Sequence, residues 1–131
     1  MGNLSFEEQS KWRKNISEAI KTEGCDSEKK ASVFNPVNYY NFEINSHKSE
    51  KEIMEFDLYN LRNSNLVIVN FNDEKSIGTA MEIMLAKEYN IPVIAFGTNG
   101  KQIHPWLIES CTRVCDDMRE VVDHIIQFYL N

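Results

Sequence analysis

The sequence predicts a three-layer α/β fold, in which helices cover both faces of a parallel sheet of about four strands. Segments with apolar residues at helical spacing alternate with short apolar, β-branched runs along the chain. The run over 65–71 is apolar almost throughout, as expected of a strand buried on both faces. With 131 residues, 42% of them hydrophobic and 26% charged, the chain has the size and composition of one packed domain. We therefore expect a single Rossmann-like domain over 1–131.

The first half of the chain contains two predicted helices and one predicted strand. A capping box, Ser5–Glu8, begins a helix that runs to about residue 23, before a glycine. The segment Ala31–Phe34 is a short strand candidate that an Asn-Pro pair ends. After a polar loop, a second capping box at Ser49–Glu52 begins a helix that runs to about Arg62.

The second half continues the alternation of strands and helices and completes the predicted layers. The predicted elements are a strand over 65–71, a helix over 76–89, a strand over 91–96, a short helix over 104–110, an edge strand over 112–115 and a helix from about 117.

Composition and charge exclude several classes of function. The net charge of −6 argues against a general nucleic-acid binder, which needs clustered Lys and Arg. No apolar run approaches the roughly 20 residues of a membrane-spanning helix, and no segment resembles a signal peptide. Three cysteines without a second Cys/His pair at zinc spacing predict free thiols in a reducing cytoplasm. We expect neither a nucleic-acid nor a membrane partner.

The helix start at Ser76 follows the strongest predicted strand. It should therefore lie at the carboxyl edge of the sheet, where open α/β folds bind ligands. Ser76 is a good N-cap, and the unpaired N–H groups around Gly78 and Thr79 suit a phosphate or a polar sugar edge. Plain helix capping explains the same residues equally often.

Glu82 is the only charged residue between Lys75 and Lys87. It lies four residues after Gly78, so both project from one helix face, and Gly78 leaves open space one turn before the carboxylate. A carboxylate on an inward stripe is costly unless it is paired or used. The alternative, a glutamate at the border of the stripe that reaches solvent, is about as well supported by the spacing.

Asp57 also interrupts an apolar stripe, because Ile53, Asp57 and Leu61 share one helix face. The spacing alone slightly favours an alternative, in which the inward stripe is Met54, Leu58 and Leu61 and Asp57 lies at its border. Two carboxylates near one cleft suit glycosidic chemistry, in which one attacks the anomeric carbon and a second group assists the leaving group.

Several segments of the chain resemble the nucleoside 2-deoxyribosyltransferase family. The segment 56–70 is similar to the family's helix-then-strand segment that carries an aspartate. The segment 76–83, Ser-x-Gly-Thr-Ala-Met-Glu-Ile, resembles its signature of a serine or aspartate, a glycine and the catalytic glutamate, and 91–94 resembles the strand that follows. The segment 34–36 is similar to the end of an earlier family strand, and the resemblance in element order covers about 6–125.

The resemblance implies roles for individual residues. Glu82 falls on the nucleophile that attacks C1′ of a deoxynucleoside, and Asp57 on an acid near the base and sugar. Ser76 falls on a position that is serine in the related deoxynucleoside 5′-monophosphate N-glycosidases, where it helps to hold phosphate. His104 lies near a position that reaches a neighbouring subunit's site, which implies a homodimer or a larger homo-oligomer. The expected substrate-binding residues are Ser76, Gly78, Thr79, Asn70, Tyr39 and His104, and no metal or cofactor is implied.

The chain departs from the family pattern at its beginning, because the first family strand is missing before the helix over 5–23. In a flavodoxin-like strand order that strand lies inside the sheet. Either the sheet closes up with four strands, or another segment or subunit fills the gap, or the recorded start is late. The missing strand often supplies a tyrosine beside the nucleophile, and Tyr39 or Tyr40 is a candidate replacement.

Three functions remain as hypotheses. The first is cleavage or transfer of the N-glycosidic bond of a 2′-deoxynucleoside or its 5′-monophosphate, with a small-molecule nucleoside or nucleotide as the partner. The second, ranked lower, is a phosphoribohydrolase of the lysine-decarboxylase-like group, which needs a Pro-Gly-Gly run that the residues before Ser76 lack. The third is a non-catalytic nucleotide-binding or interaction module of the same fold, which the missing strand favours.

Overall fold

A computed structural model of the chain describes residues 6–36, 49–73 and 77–131. Within these ranges, no helix is both long and apolar enough to cross a membrane. The described helices and strands, in chain order, are α1 (Phe6–Glu23), α2 (Glu50–Arg62), β1 (Val67–Asn70), α3 (Ile77–Glu88), β2 (Val93–Phe96), α4 (Pro105–Glu109), β3 (Arg113–Val114) and α5 (Met118–Tyr129).

The three described strands form one open parallel sheet in the order β1-β2-β3. Asn70, the last residue of β1, is paired with Phe96, the last residue of β2, so the carboxyl ends of the two strands are level. A short 3-10 turn, Phe71–Asp73, leads from β1 towards α3. The predicted parallel α/β fold of the Rossmann-like class is confirmed.

Alternate residues of β2 face two separate apolar clusters, which define the layers of the fold. Ile94 and Phe96 pack with residues of α1 and α5 on one face, whereas Val93 and Ala95 pack with residues of α2 and α3 on the other. A bidentate salt bridge, in which the guanidinium of Arg119 donates to both carboxylate oxygens of Glu23 at 2.7 and 2.8 Å, also joins α5 to α1 at the surface. The core is therefore built on both faces of the sheet.

Local capping explains where two of the helices begin. Ser49 caps α2, because its Oγ accepts a hydrogen bond from the backbone N–H of Glu52 at 3.2 Å. Asp117 caps α5 in the same way, with Oδ1 accepting from the N–H of Glu120 at 2.9 Å. The predicted caps Ser5 and Ser76 lie outside the described residues.

The predicted strand at Ala31–Phe34 is wrong. The segment is irregular and pairs with none of the described strands, so the described sheet has three strands and not about four. Its one β-branched residue, Val33, is exposed, whereas Phe34 packs edge-to-face on Phe56 of α2 with ring centroids 5.8 Å apart. The segment is thus anchored to a helix by one aromatic contact and gains nothing from a sheet neighbour.

Candidate active site

Glu82 lies in the middle of α3, the helix that follows β1 and its carboxyl-end turn. Its neighbour Ile83 and the residue one turn later, Ala86, are fully buried, and Glu82 is partly buried beside them. Gly78, one turn earlier on the same side of α3, is exposed. The carboxylate therefore stands at the inner border of the helix, between the buried core residues and the exposed first turn.

The surroundings of Glu82 raise the pKa of its carboxyl from the ordinary value of 4.5 to about 7. Burial is the largest cause, because a desolvated carboxylate loses the hydration that stabilises its charge. The second cause is the negative charge of Asp57, and the positive charge of Arg13 partly offsets both. Close to neutral pH, the group therefore exchanges between the acid and the carboxylate.

Asp57 reaches this region from α2, which packs beside α3. Its Oδ1 is buried, and Leu61, one turn later, belongs to the core beneath α2 and α3. Met54 is 41% exposed, so the alternative stripe that begins at Met54 is not the inward one. The structure thus brings the two predicted carboxylates, Asp57 and Glu82, to one place.

Arg13 of α1 is the charged neighbour that the sequence patterns did not single out. Its guanidinium lies over the ring of Trp12, 4.8 Å from the centroid. Trp12 packs edge-to-face on Phe96, at the carboxyl end of β2, with centroids 5.7 Å apart. Arg13 shares a helix face with the buried Ile16. A cation on that apolar stripe was the available signal, by the reasoning that singled out Glu82.

Asn70 ends β1 and shapes the turn beside the site. It is buried, and its Oδ1 accepts a hydrogen bond from the backbone N–H of Asn72 at 2.9 Å. Gly97, after β2, has a φ of +84°, and a Cβ there would lie 2.8 Å from both Asn70 Oδ1 and Asn72 Nδ2. These contacts give Asn70 a structural role, because its side chain holds the turn after β1 against the turn after β2. Its contact with substrate stays a prediction.

His104 lies on the other flank of α3. Its Nδ1 accepts from the backbone N–H of Trp106 at 3.2 Å and caps α4. It lines an apolar cavity together with Ala80 and Ile83, whereas Asp57 approaches Glu82 from the α2 side. Within one chain, His104 is therefore not part of the group formed by Glu82 and Asp57.

The remaining predicted residues are three around the start of α3, together with Tyr39. Gly78 and Thr79 belong to its first turn, where Gly78 is exposed and Thr79 is partly buried. Ser76 and Tyr39 lie outside the described residues, so their predicted contacts have no geometry to report.

Fold and site together define a parallel α/β domain with a desolvated carboxylate pair beside the carboxyl edge of its sheet. A family model described as nucleoside 2-deoxyribosyltransferase matches residues 2–124, and the chain therefore belongs to that family. A search among curated proteins gave no match. Membership places the chain with transferases and glycosidases that act on nucleosides.

Proposed function

We propose that the protein cleaves or transfers the N-glycosidic bond of 2′-deoxynucleosides or their 5′-monophosphates, with Glu82 as the nucleophile. The main support for this proposal is the carboxyl of Glu82, which is desolvated and lies near Asp57 on the helix that follows β1. The chain also belongs to a family with this activity. A carboxylate held out of water is a stronger nucleophile than a hydrated one, because less solvent must leave before it attacks.

The reaction proceeds in two displacement steps. The ionised carboxylate of Glu82 attacks C1′ of the sugar, the C–N bond breaks with its electron pair passing to the base, and the base takes up a proton from solvent as it leaves. Water or a second base then attacks C1′ and gives up a proton to solvent, while the bond from C1′ to Glu82 breaks and its electron pair returns to the carboxylate. Water gives hydrolysis and a free base, and a second base gives transfer.

Asp57 and Arg13 set the ionisation of the nucleophile from opposite directions. The charge of Asp57 raises the pKa of Glu82, and the charge of Arg13 lowers it. A pKa near the working pH keeps a usable fraction of carboxylate while preserving its basicity. We expect Asp57 also to bind a sugar hydroxyl or the base, as its position in the family pattern implies.

The start of α3 is the proposed site for the 5′ end of the substrate. The unpaired N–H groups and the positive dipole end of a helix favour an anion, and the exposed Gly78 leaves this end open to a ligand. Thr79 in the same turn and Ser76 before it complete the proposed contacts. A serine at position 76 favours the monophosphate over the nucleoside, because it adds a neutral donor where an acid would repel phosphate.

Release of free base tests the proposal. Purified protein is incubated with each 2′-deoxynucleoside and each 5′-monophosphate, with and without a second base, and the products are separated by chromatography. We expect base release by the wild type, none by Glu82→Gln, and unchanged release by Glu88→Gln, an exposed glutamate of the same helix. Retained activity in folded Glu82→Gln would refute the assignment. Substrate-induced thermal stabilisation without turnover would favour the non-catalytic module.

A further inference from the structure

Trp12 and Arg13 are neighbours in α1, and their side chains are in contact. The guanidinium of Arg13 lies over the indole ring of Trp12, 4.8 Å from the ring centroid. Adjacent residues of a helix project about 100° apart, so the long side chain of Arg13 has to bend back to cover the ring. The negative face of the indole attracts the cation and thereby fixes where its charge is held.

Trp12 is itself held at the carboxyl edge of the sheet. Its ring packs edge-to-face on Phe96 with centroids 5.7 Å apart, and the half-buried side chain also packs against the core beneath α1 and α5. Phe96 ends β2 and is level with Asn70, which ends β1 and from which the chain passes towards α3. The indole is therefore a fixed support for Arg13 at this edge.

The charged groups that act on Glu82 come from different helices. Asp57 of α2 is the acid and Arg13 of α1 is the cation. His104, the cap of α4, lies on the other flank of α3, and β2 has no titratable side chain. α3 has no other charged residue within four positions of Glu82. In the part of the chain that the structure describes, the positive charge that offsets Asp57 thus comes from Arg13.

The effect of Arg13 depends on how its guanidinium is held. Arg13 is half-buried, whereas its neighbour Lys14 is exposed. An arginine side chain has many rotamers, and holding it in one place costs entropy that a stable contact must offset. A guanidinium in bulk water would act on Glu82 about fourfold more weakly than one held near the protein surface at the same distance. Contact with the indole therefore keeps the charge of Arg13 effective.

From these contacts we propose that Trp12 is a positioning residue of the site, because its ring holds the guanidinium of Arg13 at the carboxyl edge of the sheet, where the cation acts on Glu82. Without the ring, the guanidinium moves into water and Asp57 acts on the carboxylate without this offset. The consequence for catalysis rests on the proposed function, since it requires Glu82 to be the nucleophile. The coupling between the three side chains does not.

NMR titration of the Glu82 carboxyl in the full chain measures this coupling without turnover. Trp12→Leu keeps an apolar side chain but removes the ring, so the pKa of Glu82 should rise as it does in Arg13→Gln, and no further. The double variant should show the rise of Arg13→Gln alone, because no cation is left to hold. Trp12→Phe keeps an aromatic face and should stay closer to the wild type than Trp12→Leu. Lys14→Gln, which removes an exposed cation next to Arg13, is the matched control and should not move the pKa.

The pH profile of kcat/KM separates positioning from a merely structural role. The pKa of Glu82 is about 7. A rise of about one unit lowers the ionised fraction at pH 7 from about one half to about one tenth, so kcat/KM at pH 7 should fall about fivefold in Trp12→Leu. The loss should shrink at higher pH, where the carboxylate forms in every variant. A structural defect would lower kcat/KM by the same factor at every pH.

Fluorinated tryptophan provides the test should Trp12→Leu fail to fold by circular dichroism. Fluorine weakens the negative face of the indole while the ring keeps its shape, so the pKa of Glu82 should again rise. A Trp106→Phe background, which changes the largely exposed second tryptophan of the chain, confines the label to Trp12.

The outcomes distinguish this inference from the proposed function. An unchanged pKa of Glu82 in Trp12→Leu or with the fluorinated ring overturns the role of Trp12, and so do additive shifts in the double variant. Base release without this coupling overturns the role of Trp12 alone. The coupling without base release refutes the proposed function and leaves the positioning of Arg13 by Trp12 supported.

Discussion

Replacement of Glu82 by glutamine should make the protein more stable while it abolishes base release. Glutamine keeps the size and the hydrogen-bonding groups of the protonated acid, but it cannot ionise. In the wild type, ionisation places a negative charge in a desolvated position beside Asp57. The variant therefore loses the nucleophile and this electrostatic cost together.

The size of the effect and its pH dependence follow from the raised pKa of Glu82. Between pH 4.5 and about 7, the folded protein keeps a proton that the unfolded chain has released. The free energy of unfolding of the wild type therefore falls as the pH rises through this window. At 1.36 kcal/mol per pH unit, the full difference is about 3 kcal/mol. We expect Glu82→Gln to match the wild type below about pH 4 and to exceed it by about 3 kcal/mol above about pH 7.

Urea denaturation of both proteins across this pH range measures the difference directly. A gain of about 3 kcal/mol corresponds to a rise of roughly 10 °C in the unfolding temperature for a chain of this length. Glu88→Gln, an exposed residue on the same helix, is the control and should show no comparable gain. It also reports any general effect of removing one negative charge from an acidic protein.

Two results would refute this reasoning. A difference between Glu82→Gln and the wild type that does not change with pH would mean that ionisation of Glu82 does not oppose folding. A destabilised variant would mean that the carboxylate is held by favourable partners and is not desolvated. A variant that is more stable, folded and inactive would instead show that activity is lost through chemistry and not through misfolding.

Three further predictions concern the charges and the turn around the site. Asp57→Asn removes the nearby negative charge, so the pKa of Glu82 should fall below 7, and NMR titration of that carboxyl measures it even in an inactive variant. Arg13→Gln removes the offsetting cation, so the pKa of Glu82 should rise above 7, and the acid limb of the pH profile of kcat/KM should move with it. If Asp57→Asn and Arg13→Gln shifted this pKa in the same direction, the electrostatic account would be contradicted. Gly97→Ala should cost several kcal/mol in urea denaturation, because a Cβ there meets polar atoms at 2.8 Å. Gly100→Ala, with a φ of +71° but open space, should cost only about 1 kcal/mol, and equal losses would exclude the close contact as the cause.

Most elements of the fold could be predicted because their signals are local. The apolar run over 65–71 contains β1, and the capping residues Ser49 and Asp117 mark the beginnings of α2 and α5 within one residue. Caps and periodicity depend on neighbours three or four residues away, so they can be read along the chain. The alternation of elements then fixes a parallel sheet, because right-handed crossovers through helices connect parallel strands.

The strand predicted at Ala31–Phe34 failed because a strand is not a local structure. Four residues with one β-branched side chain have little preference of their own, and their conformation depends on whether a neighbouring strand is available. Here Phe34 gains an aromatic contact with Phe56, a residue more than 20 positions away. The sequence of the segment alone does not predict that contact.

The candidate site could be predicted only in part, because each residue has a local signal whereas their grouping depends on the tertiary structure. Glu82 and Asp57 each interrupt an apolar stripe, so the sequence indicated them separately, and the tertiary structure was needed to bring them together. The position of His104 illustrates the limit, because order along the chain does not tell which flank of α3 a later residue will occupy. Arg13 also interrupts an apolar stripe, but only the tertiary structure shows that its charge acts on Glu82, because α1 packs on the opposite face of the sheet from α2 and α3.

The charged groups that set the pKa of Glu82 are carried by both layers of the fold. Arg13 is carried by the layer that contains α1 and α5, whereas Asp57 and Glu82 are carried by the layer that contains α2 and α3. The contact of Trp12 with Phe96 places Arg13 at the carboxyl end of the sheet, from where its charge acts on Glu82. Weakened packing of α1 would remove the cation while leaving both carboxylates in place. The pKa of Glu82 would then rise and its reactive form would become scarce at neutral pH, although the layer that holds it remained folded. The ionisation of the nucleophile therefore depends on both layers of the fold and not only on the helix that carries it.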